Sequence, residues 1–112
     1  MLFDKQNGEG EYMMAVYTLL QLKEAISPIA REHGIKSVSL FGSYAKGIAK
    51  DDSDVDLLIE KGQIHSLFQL CSFRLAVEDV LRIPVDLVTT ESSDEVFLNR
   101  IREEGILLYG AS

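Results

Sequence analysis

Cysteine occurs once in this chain, at Cys71, so no internal disulfide can form and the sequence reads as one made for a reducing, cytoplasmic compartment. Long apolar runs are missing too. Nothing approaches the roughly 18 to 20 consecutive apolar residues that cross a bilayer, and the longest early run is broken at Gln21 and Lys23. No membrane span is expected. The first residues, Met1 to Glu11, lack the basic and apolar blocks of a secretory signal and carry Asp4, Lys5, Glu9 and Glu11 instead. Positive charge is also scarce. Against 18 Asp plus Glu stand 11 Lys plus Arg, a formal net charge of -7. Such a surface is not built to hold duplex DNA or an anionic membrane, so any phosphate contact must be local.

What is present fits one domain. The 112 residues, 46% hydrophobic and 26% charged, can fold alone but bury a modest core, which leaves room for a partner. Residues 1–12 read as a flexible arm, with two glycines between Gln6 and Gly10 and no apolar period; residues 13–112 read as a single domain, with Met13 or Met14 a candidate later start.

From Thr18 onward, Leu19, Leu22, Ile26, Ile29 and Ala30 recur at helical spacing, and Thr18 with Gln21 resembles a capping box. Pro28 lies inside this helix, so a kink or a second piece capped by Ser27 is expected. Gly34 stops it. Val38 to Phe41 and Val55 to Ile59 read as strands, Leu67 to Leu81 as a helix turning Leu67, Leu70, Cys71, Ala76, Val80 and Leu81 inward, and Val85 to Thr89 as a third strand after Pro84. Ser92 and Glu95 mark a last capped helix ending near Gly105, and Ile106 to Tyr109 a short strand or docked tail. The expected class is α/β (α+β): a small mixed β-sheet flanked by helices.

Between Asp51 and Glu60 stand five carboxylates, Asp51, Asp52, Asp54, Asp56 and Glu60, and no Lys or Arg. A solvated acidic loop accounts for Asp51 and Asp52. It accounts poorly for Asp54 and Asp56, which merge into Leu57-Leu58-Ile59 and, at a strand's period of two, share one face. Like charges so close raise one another's pKa unless a cation sits between them, and a divalent metal is the natural cation. An EF-hand is excluded, because its sixth position would be Leu57 and its twelfth Gln63. Zinc is poorly served as well: His33, His65 and Cys71 lack paired ligand spacing and read as a helix-end, a loop and a core residue.

Upstream, Phe41-Gly42-Ser43-Tyr44-Ala45-Lys46-Gly47 reads as a strand end, a Gly-Ser turn and a short helix, offering amides and a hydroxyl to a phosphate. Ile48 and Ala49 stand where a P-loop needs Lys and Ser or Thr, which sets a Walker-type ATPase aside. The combination is more specific than either part: Gly42-Ser43, ten intervening residues, Asp54-Val55-Asp56, then Asp86 in Val85-Asp86-Leu87-Val88. In this it closely resembles the nucleotidyltransferases of the DNA polymerase β-like superfamily. The runs Phe41 to Gly47 and Asp52 to Leu57 are similar to those of the minimal nucleotidyltransferases (MNT) of prokaryotic toxin–antitoxin pairs, with a helical HEPN ribonuclease as toxin. The likeness spans about Leu19 to Tyr109.

The resemblance implies a polymerase β-like fold and a division of labour. Asp54, Asp56 and Asp86 would be the catalytic carboxylates and would hold two Mg2+ ions, with Asp86 acting as or beside the general base. Gly42, Ser43 and Lys46 would bind the triphosphate of ATP. Asp86 also has a reading as a strand-end cap, and Lys46 and Lys50 as solvated lysines; where many relatives carry arginine, Lys46 cannot form a bidentate fork. Tyr44 reads as packing. Larger relatives append a domain for the acceptor, which this chain is expected to lack, so the resemblance points to a partner: AMP moved from ATP to a tyrosine of a cognate HEPN toxin in a type VII-like pair. Val96, Phe97 and Ile101, or the N-terminal arm, are candidates for docking that partner, with core packing the competing use. Two other functions stay open: an antitoxin acting by occlusion alone, and nucleotidyl transfer to a small molecule.

Overall fold

The computed structural model describes residues 16–92 and 94–110. The arm expected over 1–12 and the candidate start at Met13 or Met14 lie outside them. Helix α1 spans Leu19–Glu32, and its capping box forms: the Gln21 N–H donates to Thr18 Oγ1 at 3.1 Å and the Thr18 N–H donates to Gln21 Oε1 at 2.9 Å. The helix continues through Pro28, so the second piece capped by Ser27 does not form. Burial of Leu22, Ala25, Ile26 and Ala30 holds the helix where proline removes one internal hydrogen bond. Ser27 Oγ instead donates to the Leu108 carbonyl at 3.1 Å, tying α1 to the end of the chain.

Strands β1 (Ser37–Phe41), β2 (Val55–Glu60), β3 (Val85–Thr89) and β4 (Ile106–Tyr109) form one sheet in the order β3-β2-β1-β4. β1 runs antiparallel to β2 and β4, while β2 and β3 are parallel and joined through helix α3 (Leu67–Leu81). The mixed sheet is therefore as expected, and the docked tail is a true fourth strand. Alternation along β2 sends Val55, Leu57 and Ile59 into the main core with α1 and α3; Leu58 joins a smaller cluster with Leu98 and Ile101 of helix α4 (Glu95–Glu104). Both faces of the sheet are thus covered.

Two expectations need correction. The inward stripe of α3 is Phe73, Val77 and Leu81, so of the six residues expected inward only Leu81 belongs to it; Leu67 is 76% exposed and Val80 38%, while Leu70, Cys71 and Ala76 are half-buried. The helix is apolar on most sides, so periodicity alone could not say which side meets the sheet. Helix α4 is capped by Asp94, whose Oδ1 accepts from the Phe97 N–H at 2.8 Å; Ser92 closes a 3-10 turn, Thr90–Ser92, ahead of it.

Phe73 has no exposed surface and meets the His33 ring edge-on at 5.7 Å. Phe73→Ala should cost about 3 to 5 kcal/mol, whereas Leu67→Ala should stay within about 0.5 kcal/mol. Urea unfolding of both variants checks which face of α3 is the core face.

Candidate active site

The site grows from the ends of the central strands. β1 closes at Phe41, and Gly42 turns the backbone at φ 76 into a short helix, α2 (Gly42–Lys46), closed by Gly47. In the sheet, Asp56 is the register partner of Phe41 on one side and of Asp86 on the other. Two carboxylates that are far apart in sequence therefore become lateral neighbours. The period of two puts Asp56 and Asp86 on the face that carries α4, opposite Val55, Leu57 and Val85, and Asp54 immediately precedes β2.

Gly42 lies directly against this cluster. A Cβ there would overlap Asp56 Oδ2 and sit 3.1 Å from its Cγ, and the backbone is in the left-handed region that favours glycine. Asp56 is half-buried, whereas Asp54 and Asp86 are exposed. Burial pushes the Asp56 carboxyl above the ordinary carboxylate value, and the negative charges of Asp86 and then Asp54 push it further. Among the described residues, no hydrogen bond or ion pair engages any of the three side chains. Glu60 differs: it accepts from Ser37 Oγ at 3.0 Å and pairs with Lys36 at 3.6 Å, which removes it from the site.

The other candidates sort cleanly. Ser43 is half-buried in the first turn of α2, and its hydroxyl has no partner among the described residues. Lys46 is exposed at the end of α2. Lys50, Asp51 and Asp52 sit exposed in the loop before β2, where the Lys50 N–H donates to Ser53 Oγ at 2.8 Å. Tyr44 is buried, and desolvation raises its phenol, partly offset by a backbone hydrogen bond from Tyr17; it packs, as expected. His33 ends α1 with Nδ1 at 2.9 Å from the Ile29 carbonyl, and His65 lies exposed in a loop. Cys71 is half-buried rather than in the core, because it sits beside the true inward stripe of α3.

Sequence reasoning missed Arg100. It lies on α4 and lines a cavity of ≈ 160 Å³ together with Gly42 and Lys46. No motif surrounds it; the only signal was its place one residue before buried Ile101, on the helix that packs beside the carboxylate face.

Among the described residues, no three His, Cys, Asp or Glu side chains stand as a ready metal-binding group. Asp56 and Asp86 are lateral neighbours in the sheet, and the charge of Asp54 also reaches Asp56. These are hard, acceptor-only oxygen donors with uncompensated charge, which suit a hard divalent cation such as Mg2+.

The family model described as polymerase beta, nucleotidyltransferase, matches residues 24–112. The chain is 38% identical over 86 residues to a Methanocaldococcus jannaschii chain inferred to be a protein adenylyltransferase, covering 77% of this chain and 92% of that one. It is 35% identical over 83 residues to protein adenylyltransferase MntA of Thermococcus cleftensis, covering 70% and 84%. A solved structure, inferred to be a minimal nucleotidyltransferase, superposes with a TM-score of 0.71 at 31% identity, covering 80% of this chain and 95% of that one. A chain from the complex of a tri-AMPylated Shewanella oneidensis HEPN toxin with an MNT antitoxin shares the fold, with a TM-score of 0.65 at 20% identity, covering 84% and 74%. The chain belongs to the polymerase β nucleotidyltransferase family, in its branch of small protein adenylyltransferases.

Gly42→Ala should lower stability by at least about 1 kcal/mol through the positive φ alone, with the Asp56 clash added; chemical denaturation measures it. For Asp56 the sign runs toward acid. With its folded pKa raised, the folded state holds the proton more tightly than the unfolded chain, and stability falls as pH rises from the unfolded value through the folded one. In EDTA at pH 7, Asp56→Asn should therefore melt above the wild type, and that gain should vanish below the unfolded carboxylate pKa.

Proposed function

We propose that this chain is the antitoxin of a toxin–antitoxin pair and works as an enzyme, transferring AMP from ATP to a tyrosine hydroxyl of a HEPN ribonuclease toxin in the cytoplasm. The observation that carries this reading is the lateral pairing of Asp56 with Asp86, Gly42 pressed against the first. Uncompensated carboxylates at a turn whose glycine and free hydroxyl admit a phosphate are what an Mg-nucleotide site requires. The named MntA relative and the AMPylated HEPN toxin in complex with an MNT antitoxin support the choice of acceptor and partner.

In this reading Asp54, Asp56 and Asp86 would hold two Mg2+ ions. Mg2+ supplies charge neutralisation for the phosphates and for the oxygens of an in-line displacement. The chain's own groups do the rest. Gly42 lets the triphosphate approach the backbone, and Ser43 and Lys46 bind it. Asp86 takes the proton of the acceptor hydroxyl as its oxygen bonds to the α-phosphorus. The bond from that phosphorus to the bridging oxygen breaks, and pyrophosphate leaves with the electron pair. Without a compensating cation, the net charge of -7 disfavours polyanions, so direct stable DNA binding is not part of this function.

The test is incubation of the chain with Mg2+, its HEPN partner, and ATP labelled at the α- or the γ-phosphate. Label should reach the partner from the α position only, and Asp54→Asn or Asp56→Asn should lower the rate at least about 100-fold. Label from the γ position would make the chain a kinase. An intact but unlabelled complex, still neutralised, would overturn the enzyme reading in favour of occlusion.

A further inference from the structure

We propose that the cavity between α2 and α4 is a pyrophosphate subsite, in which Arg100 of α4 joins Lys46 of α2 in holding the β- and γ-phosphates of the nucleotide. The proposal rests on the reading of the neighbouring carboxylates as the nucleotidyl-transfer site. Gly42 connects the two places. It presses on Asp56 and also lines the cavity, so a ligand reacting at the carboxylates extends into it.

Charge points the same way. Three cations elsewhere on this acidic chain meet carboxylates: Lys36 meets Glu60, Lys61 meets Glu91 at 3.0 Å and Arg74 meets Glu78 at 3.5 Å. Among the described residues, neither Lys46 nor Arg100 has an ion pair or hydrogen bond. Glu104, one turn beyond Arg100 on α4, also lines the cavity without pairing with it, in keeping with the poorer helical orientation of a cation before an anion. Two cations against one carboxylate leave the cavity net positive, in a protein with a deficit of positive charge.

Size and lining narrow the ligand. A volume of ≈ 160 Å³ falls below the roughly 300 to 1,000 Å³ of sites that enclose a whole drug-sized molecule and suits a fragment of the nucleotide. Phe41 and Phe97, edge to face at 5.5 Å, together with Ile101 form an apolar wall that strengthens charge interactions by keeping water out. The guanidinium provides the planar fork that matches phosphate, which Lys46, a point charge, lacks. As the bond between the α-phosphorus and the bridging oxygen breaks, negative charge accumulates on the departing pyrophosphate, and Arg100 meets it there.

The experiment uses the full chain with Mg2+ and its HEPN partner, measuring KM for ATP in α-label transfer and product inhibition by pyrophosphate and by AMP. Calorimetric binding of Mg-pyrophosphate to the chain alone gives a readout independent of transfer. Arg100→Ala should raise both KM for ATP and the pyrophosphate constants about tenfold or more, with the AMP constant unmoved, and Arg100→Lys should recover part of the loss. Arg102→Ala is the control on the same helix, its side chain bonded to Asn99 and outside the cavity, and should change nothing. Unchanged pyrophosphate binding in Arg100→Ala, or equal weakening of pyrophosphate and AMP, would overturn the subsite. If the wild type transfers no label, the enzyme reading fails, and the calorimetric comparison still decides the subsite.

Discussion

The register of β2 against β3 is the constraint on which the rest depends. Parallel pairing sets Asp56 beside Asp86, so two like charges are held together by backbone hydrogen bonds that neither side chain can relax. Burial first, and then the charges of Asp86 and Asp54, push the Asp56 carboxyl upward, and apolar contacts on both faces of the sheet hold the strands in place against this. A destabilised cluster of this kind is a common signature of a site whose geometry serves binding before stability. Gly42 tightens the constraint from the other side, since no larger residue could occupy the space that Asp56 fills.

The two faces of the sheet divide the work. On one, α1 and α3 bury Leu22, Ile26, Phe73, Val77 and Leu81 against Val55, Leu57 and Ile59, and this large cluster anchors the strands. On the other, α4 covers only part of the sheet through Leu98 and Ile101 against Leu58. The carboxylates emerge where that cover ends. The smaller cluster is therefore both core and cavity wall: Phe97, partly buried, packs edge-on against Phe41 while lining the cavity beside Gly42. Ile101 is buried, whereas Val96 is 71% exposed.

Much of this was legible without coordinates, and the limits are physical. Strand β2 could be read because alternation is local, and the Thr18 capping box could be read because all its partners lie within three residues. The Gly-Ser, Asp-x-Asp and later aspartate pattern carried the family, which the match over residues 24–112 bears out. The face of α3 was misread because that helix has few polar residues to mark an outside, and Leu67 and Val80 look as buriable as Phe73. The cap of α4 was placed at Ser92 instead of Asp94 because two residues of similar capping chemistry stand close together, and only the backbone decides which one meets a free N–H.

By itself, then, the sequence determined the elements and the nucleotidyltransferase class, since each follows from short-range periodicity or from spacing along the chain. Tertiary structure alone decided that Asp86 stands beside Asp56, that Gly42 has no room for a side chain, and that Arg100 shares a cavity with Lys46. Each of these is a contact between residues far apart in the chain, set by strand register and helix packing that no local pattern encodes.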